Sequence, residues 1–422
     1  MTSFRSSFYS SLLPWFFWGA AAVFYCYQFL LRVSPTVITK ELSEYLSVEA
    51  CALGVLISSY YYGYSALQIP GGLIIDRFGP RRPLTIACLF CALGGYIFSF
   101  SGTIEWMWVG RFMIGVGSAF GFLSCIKLAS MWFPPEKLGI FVGLTLVLGT
   151  IGGVGGGWPL AKAVELYGWK ETSFGLSVFS ALWAIFIFLV VRDKKTIVND
   201  NTKNSRVNEV TFSVWSSLSC VLSNSKTWVI GLYGGLMYVP LAGFADLWGT
   251  PFIVSVYNVD KTDAASAALT FYIGIGFGAP FSAIISDFLN SNLKPMRYGA
   301  LGVFLFFMIL FFIPIPFWAT YILLFSAGFF SSMQFMAFVT VNSINPKQYS
   351  ATATGVHNML CMSSGVICQP LIGFVLERVT VPVAGEVSYT SMDYKKALMV
   401  IPVAMFFSWA VTFLFGEIEN KK

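Results

Sequence analysis

Long apolar runs alternate with short polar breaks along the whole chain. A helix needs about 20 mostly apolar residues to cross the hydrocarbon of a bilayer. On that scale the pattern predicts twelve spans, near residues 12–38, 51–75, 83–101, 105–130, 138–163, 171–191, 228–256, 263–287, 297–314, 317–343, 351–377 and 396–416. Helices are the expected form because, in lipid, every backbone polar group must find its partner within the segment or in a closed barrel. The first run, from Leu12 to about Leu31, exceeds the apolar core of a cleavable signal, so it is expected to remain as span 1. The longest polar stretch runs from Arg192 to about Asn224 and leaves six spans on either side. This predicts an N-terminal six-helix bundle over 1–192, a cytoplasmic linker with room for one interfacial helix over 193–226, and a C-terminal six-helix bundle over 227–422.

The two halves repeat. A shift of 211 residues superposes Tyr61 on Tyr272, Gly63 on Gly274, Asp76 on Asp287 and Pro159 on Pro370. Each pair falls at the same place in its half: both aspartates end a second span, and both prolines lie late in a fifth. Parallel repeats of this kind build many secondary transporters, with the solute site between the halves near mid-membrane.

Composition agrees. Charged residues are 11% of the chain and hydrophobic residues 56%, against roughly 25% charged in a soluble domain. One soluble core could not hide that much apolar surface. The net charge of +6 is scattered over short loops, so no nucleic-acid face is expected. With the N-terminus placed in the cytoplasm, 17 of the 26 Lys and Arg fall on the cytoplasmic side, which puts both termini inside. The cysteines, Cys88 and Cys91 included, sit almost entirely in apolar segments and read as helix packing. No metal cluster, nucleotide-binding loop, cofactor motif or nucleophile–base pair stands out, so neither an enzyme nor an ATP-driven pump is expected.

The most specific motif is Gly72-Leu-Ile-Ile-Asp76-Arg77-Phe-Gly79-Pro-Arg81-Arg82, after span two. Asp76 can accept from a helix N-terminus or a nearby Arg, and the arginines can anchor at the cytoplasmic headgroups. Here the chain resembles the major facilitator superfamily over its whole length, with Pro80 where a basic residue is more usual. That resemblance implies an all-α membrane protein of twelve transmembrane helices in two pseudo-symmetric bundles. It also implies roles in coupling and gating for Asp76, Arg77, Arg81 and the repeat mate Asp287. Arg111-Phe-Met-Ile-Gly115-Val-Gly117, opening span four, is similar to the family's second motif. Arg111 can lock span four to a neighbour's carbonyls, and the resemblance implies a role in proton coupling as the alternative. Span five carries Gly149, Gly153 and Gly157, four apart, which let backbones approach closely. Val154 follows Gly153, so the Gly-Pro pair of the family's antiporters is missing. Phe24 to Pro35 together with Tyr60-Tyr61-Tyr62-Gly63-Tyr64 resembles the phagosomal nutrient transporters of intracellular bacteria. Gln28 stands where an acid is expected in that subgroup.

Burial cost marks the pore candidates. Arg32 could bind a solute carboxylate or snorkel to the headgroups. Asp246 could bind an amine, carry a proton or make a polar contact near the helix end. Together they would suit a zwitterion such as an amino acid. Tyr25, Gln28, Tyr61, Tyr64, Gln334 and Asn358 are further candidate solute contacts. His357, the single histidine, could serve a pH-sensitive step or a structural hydrogen bond. The sequence thus implies a monomeric secondary transporter in the bacterial inner membrane. Its partners would be a small organic solute, the lipid bilayer and, as candidate coupling ion, the proton. The alternative is a proton-driven exporter of drugs, siderophores or metabolites.

Overall fold

The computed structural model describes residues 2–134, 137–193, 214–380 and 389–415. All secondary structure among them is helical. Among the described residues, eleven helices are long and apolar enough to cross a membrane. They are span 1 (Leu13–Val37), span 3 (Arg81–Phe100), span 4 (Ile104–Trp132), span 5 (Ile140–Tyr167), span 6 (Trp169–Val190), span 7 (Ser225–Tyr257), span 8 (Lys261–Phe288), span 9 (Leu293–Phe312), span 10 (Phe317–Ser343), span 11 (Lys347–Val379) and span 12 (Ser391–Phe415). Span 2 is the twelfth. It follows the short helix Thr39–Leu46 after a bend of 115°, runs over Ala50–Ala66, breaks at Leu67 and continues over Gln68–Phe78. Residues 194–213 of the expected linker lie outside the described residues, and a helix over Val214–Ser223 leads into span 7.

The repeat is visible in backbone packing. A Cβ on Gly115 in span 4 would collide with the carbonyl of Tyr60 in span 2, and one on Gly328 in span 10 would collide with that of Phe271 in span 8. Tyr60 and Phe271 are 211 apart, so one close helix crossing occurs in both halves. Pro159 and Pro370 differ in outcome. Pro159 opens a separate segment, Trp158–Tyr167, whereas Pro370 lies inside the unbroken helix Ser350–Val379.

The halves meet through spans 1, 2 and 5 on one side and spans 7, 8 and 11 on the other. At the end carrying the turn between spans 1 and 2 they are fastened at several points. Glu377 Oε1 accepts from the backbone N–H of Cys51 at 2.6 Å, and Tyr389 Oη from that of Ala50 at 3.1 Å. These two donors open the span 2 helix, so the far half supplies the groups that satisfy its N-terminus. Lys261 also pairs with Glu41 across the interface. Toward the opposite end, Asn358 Nδ2 donates to Gln68 Oε1 at 2.5 Å.

Candidate functional site

Span 7 changes helix type midway. It is α-helical over Ser225–Val239, π-helical over Pro240–Trp248 and α-helical again over Gly249–Tyr257. Pro240 has no N–H to give to the preceding turn, which loosens the ladder where the wide turn begins. Neighbours satisfy the carbonyls of the wide segment. Gln369 Nε2 donates to Ala242 O at 2.9 Å, and Thr36 Oγ1 to Leu247 O at 3.1 Å. Trp248 Nε1 returns a bond to Gln369 O at 3.2 Å. Such insertions are rare and recur at functional sites.

This segment presents Asp246, 1% exposed, to the interface between the halves. Tyr61 Oη donates to Oδ2 and Tyr272 Oη to Oδ1. Arg32, 2% exposed, brings Nε to 3.3 Å from Oδ2, close enough for an ion pair but without the angle of a hydrogen bond. Its other nitrogens are held: Nη1 donates to Tyr238 Oη at 2.8 Å and Nη2 to Tyr272 Oη at 3.3 Å, and the guanidinium lies 4.1 Å from the centre of the Phe29 ring. Four spans from both halves therefore converge on one carboxylate. Tyr61 and Tyr272, repeat mates by sequence, hold its two oxygens from opposite sides.

Several expectations are corrected by this arrangement. Burial of Arg32 excludes snorkelling. Asp246 lies inside the span rather than at its end. Gly149 and Gly153 make room for side chains, since a Cβ on Gly149 would press on the Tyr25 ring and one on Gly153 on the Tyr272 ring. The glycine face thus seats site tyrosines, and the backbone approach falls to Gly152, which crosses the Cys26 carbonyl.

A second polar layer lies one turn along span 1. Gln28 is fully buried. Its Oε1 accepts from Tyr60 Oη at 2.8 Å, while Nε2 has no partner. Tyr64 stacks on Tyr60 with ring centres 5.8 Å apart, and Tyr25 packs against Phe29 at 5.1 Å. Arg111 reaches from span 4 to the carbonyls of Leu31 at 2.8 Å and Arg32 at 3.5 Å, with Tyr60 beneath its guanidinium at 5.2 Å. These are the contacts of a lock between spans 4 and 1, and they fix the backbone that carries Arg32.

The remaining candidates are dispersed. Gln334 is buried in the tight turn Ser332–Gln334 of span 10, with Oε1 unpartnered. His357 lies seven residues into its helix. It is packed against Gly234 and 4.5 Å from the Phe338 ring, with Nε2 3.5 Å from Cys361 Sγ. Asp76 is exposed and pairs with Lys127 at 2.7 Å, rather than with an Arg or a helix N-terminus. Arg77 lies over the Phe78 ring at 5.4 Å. Arg81 does not reach for headgroups: its Nε and Nη2 donate to Phe188 O at 3.0 and 2.5 Å, and its backbone N–H to Asp193 Oδ1 at 3.1 Å. Asp287 is exposed. Sequence reasoning missed Tyr238 and Gln68, used Tyr272 only as a repeat landmark, and missed the π-helical turn; Pro240, six residues before Asp246, was its one local sign.

Two six-span bundles meeting around a buried ion pair have the architecture of a membrane carrier. The model of the Major Facilitator Superfamily matches residues 7–368, and the chain belongs to that family of transporters. It is 23% identical over 387 residues to the probable sulfoacetate transporter SauU of Cupriavidus necator, covering 85% of this chain and 86% of that one. It is 24% identical over 385 residues to the probable galactarate/D-glucarate transporter GudP of Escherichia coli, covering 82% and 83%. Among solved structures it shares the fold of a bacterial homologue of the human lysosomal transporter Spinster in an inward-facing, occupied conformation. That match has a TM-score of 0.75 and 15% identity over 96% of this chain and 97% of the other. The nucleoside transporter NupG matches with a TM-score of 0.67 and 15% identity over 95% and 99%.

Proposed function

We propose that the chain imports a small organic anion across the bacterial inner membrane by alternating access. The observation that carries this reading is the convergence of the Arg32 cation and the Tyr61 and Tyr272 hydroxyl donors, from both halves, on a single buried carboxylate. A site that holds one carboxylate this way has the chemistry to hold another. Relatives named for sulfoacetate and for galactarate/D-glucarate support the same solute class. In this reading 1–192 and 227–422 rock against each other, joined by 193–226, in a monomer with both termini cytoplasmic. The contacts of Glu377 and Tyr389 with the start of span 2 then close the periplasmic side. Protons are the coupling ion. The segments Phe24–Pro35 and Tyr60–Tyr64 favour a place among the phagosomal nutrient transporters.

The zwitterion reading is weaker, because Asp246 is already engaged by three groups and a solute ammonium would have to displace them. Export is the second reading, and the missing Gly-Pro pair in span 5 weighs against it. Proteoliposomes offered radiolabelled galactonate, glucarate, sulfoacetate and neutral amino acids test the proposal. Uptake of at least one of the anions above empty liposomes, with no amino-acid uptake, is expected. Transport confined to amino acids, or no transport of any anion, would overturn it.

A further inference from the structure

We propose that the flank of the N-terminal bundle holds one anionic phospholipid, with an acyl chain in the groove between spans 1 and 6 and its phosphate on Arg192 at the groove's mouth. This is independent of which solute is carried. It takes from the reading above only that both termini are cytoplasmic.

A cavity of about 390 Å³ lies between these two spans, within the size of small-ligand sites. Span 1 lines it with Trp15, Phe16, Gly19 and Val23, and span 6 with Trp183 and Phe186. Span 6 packs on spans 1, 3 and 5 of its own half, so the groove belongs to the flank of the bundle and not to the junction between the halves. Trp15, Gly19 and Val23 are four apart and share one face of span 1. The groove therefore runs along the helix for about 12 Å, a shape that suits a chain. Gly19 keeps it open, because a Cβ there would meet nothing within 4 Å. The surface is almost wholly apolar, and the Trp183 indole N–H is already spent on Ala20 O at 3.0 Å. Trp15, Phe16, Val23 and Phe186 are all exposed along it. Such a surface, set within two membrane spans, takes up hydrocarbon.

Charge marks one end of the groove. Span 6 ends at Val190, one turn beyond Phe186, and exposed Arg192 follows. The turn between spans 2 and 3 comes to the same place: Arg81 lies over the Phe188 ring at 4.6 Å, and its neighbours Arg77 and Arg82 are exposed. The nearby acids are engaged elsewhere, Asp76 by Lys127 and Asp193 by the backbone N–H of Arg81. Among the described residues no carboxylate pairs with Arg77, Arg82 or Arg192. Basic clusters at the cytoplasmic end of spans attract anionic headgroups. A phospholipid brings a phosphate to this cluster and a chain to the groove in one molecule. A second copy docked here by two-fold symmetry would instead set the two arginine clusters at the same depth, facing each other. The bound chain ties span 6 to span 1, the helix that carries Arg32.

The test uses purified full-length protein, stripped of lipid in detergent and then given dioleoylphosphatidylglycerol or dioleoylphosphatidylcholine. Native mass spectrometry reads retention, and melting temperature reads stabilisation. Wild type is expected to keep one phosphatidylglycerol under washing that removes phosphatidylcholine, and to melt at least about 2 °C higher with it. Gly19→Leu fills the groove where there is room. It is expected to melt like wild type without lipid and to retain phosphatidylglycerol about tenfold less well. Arg192→Gln, an exposed change that leaves the fold alone, is expected to hold both lipids equally. Equal retention of the two lipids by wild type, or wild-type retention by Gly19→Leu, would overturn the proposal. So would an undiminished preference for phosphatidylglycerol in Arg192→Gln, which decides the matter if Gly19→Leu does not fold. Disulfide crosslinking of two copies through Phe16→Cys would show that a second chain fills the groove, and would overturn it too.

Discussion

Asp246 and Asp76 each face a cation, and the contrast between them lies in burial and in which half supplies the partner. The Asp76–Lys127 pair is the shorter, 2.7 Å against 3.3 Å for Arg32–Asp246. Distance is nevertheless a poor guide to consequence. Asp76 and Lys127 are 67% and 33% exposed, belong to one half, and compete with water and salt. Arg32 and Asp246 are almost wholly buried, belong to opposite halves, and are held by each other and by three tyrosine hydroxyls. The loop motif thus carries the weaker pair, and an aspartate in mid-span carries the stronger.

The largest effect is expected where one charge of the buried pair is left alone. Arg32→Ala should destabilise the protein by about 3–5 kcal/mol, read as a drop in melting temperature in detergent, and abolish uptake. Next comes the wall of the site. Gly153→Ala places a methyl group against the Tyr272 ring and should cost about 1–3 kcal/mol by overpacking, with a rise in KM as Tyr272 is pushed off Asp246. Glu377→Gln keeps a weaker acceptor at the start of span 2 and should cost about 0.5–2 kcal/mol of the closed state. Cysteine-labelling rates at the closed end of the interface should rise accordingly. The smallest effect belongs to the exposed pair: Lys127→Gln should change stability by about 0–1 kcal/mol. A larger loss there than for Arg32→Ala would break the comparison.

Much of the fold was legible because hydropathy and the shift of 211 record burial directly. Leu31-Arg32 in span 1 and Asp246 in span 7 stood out for the same reason, as charges in apolar runs. Their junction was not legible. The π-helical turn depends on Gln369, more than 120 residues beyond Pro240, to satisfy Ala242. Tyr238 is one of 19 tyrosines and gains its role only from facing Arg32. The glycine ladder of span 5 implies helix packing by itself, because nothing local says that Tyr25 and Tyr272 lie opposite. His357 drew interest as a titratable group, yet its surroundings are Gly234, Phe338 and Cys361.

The most direct test of the buried inter-half site is galactonate binding to wild type, Arg32→Gln and Lys127→Gln, measured side by side at acid pH. The expected result is a loss of at least about 100-fold for Arg32→Gln, as for a charged buried hydrogen-bond partner, and a change within about twofold for Lys127→Gln. Binding to Arg32→Gln at wild-type affinity would contradict it.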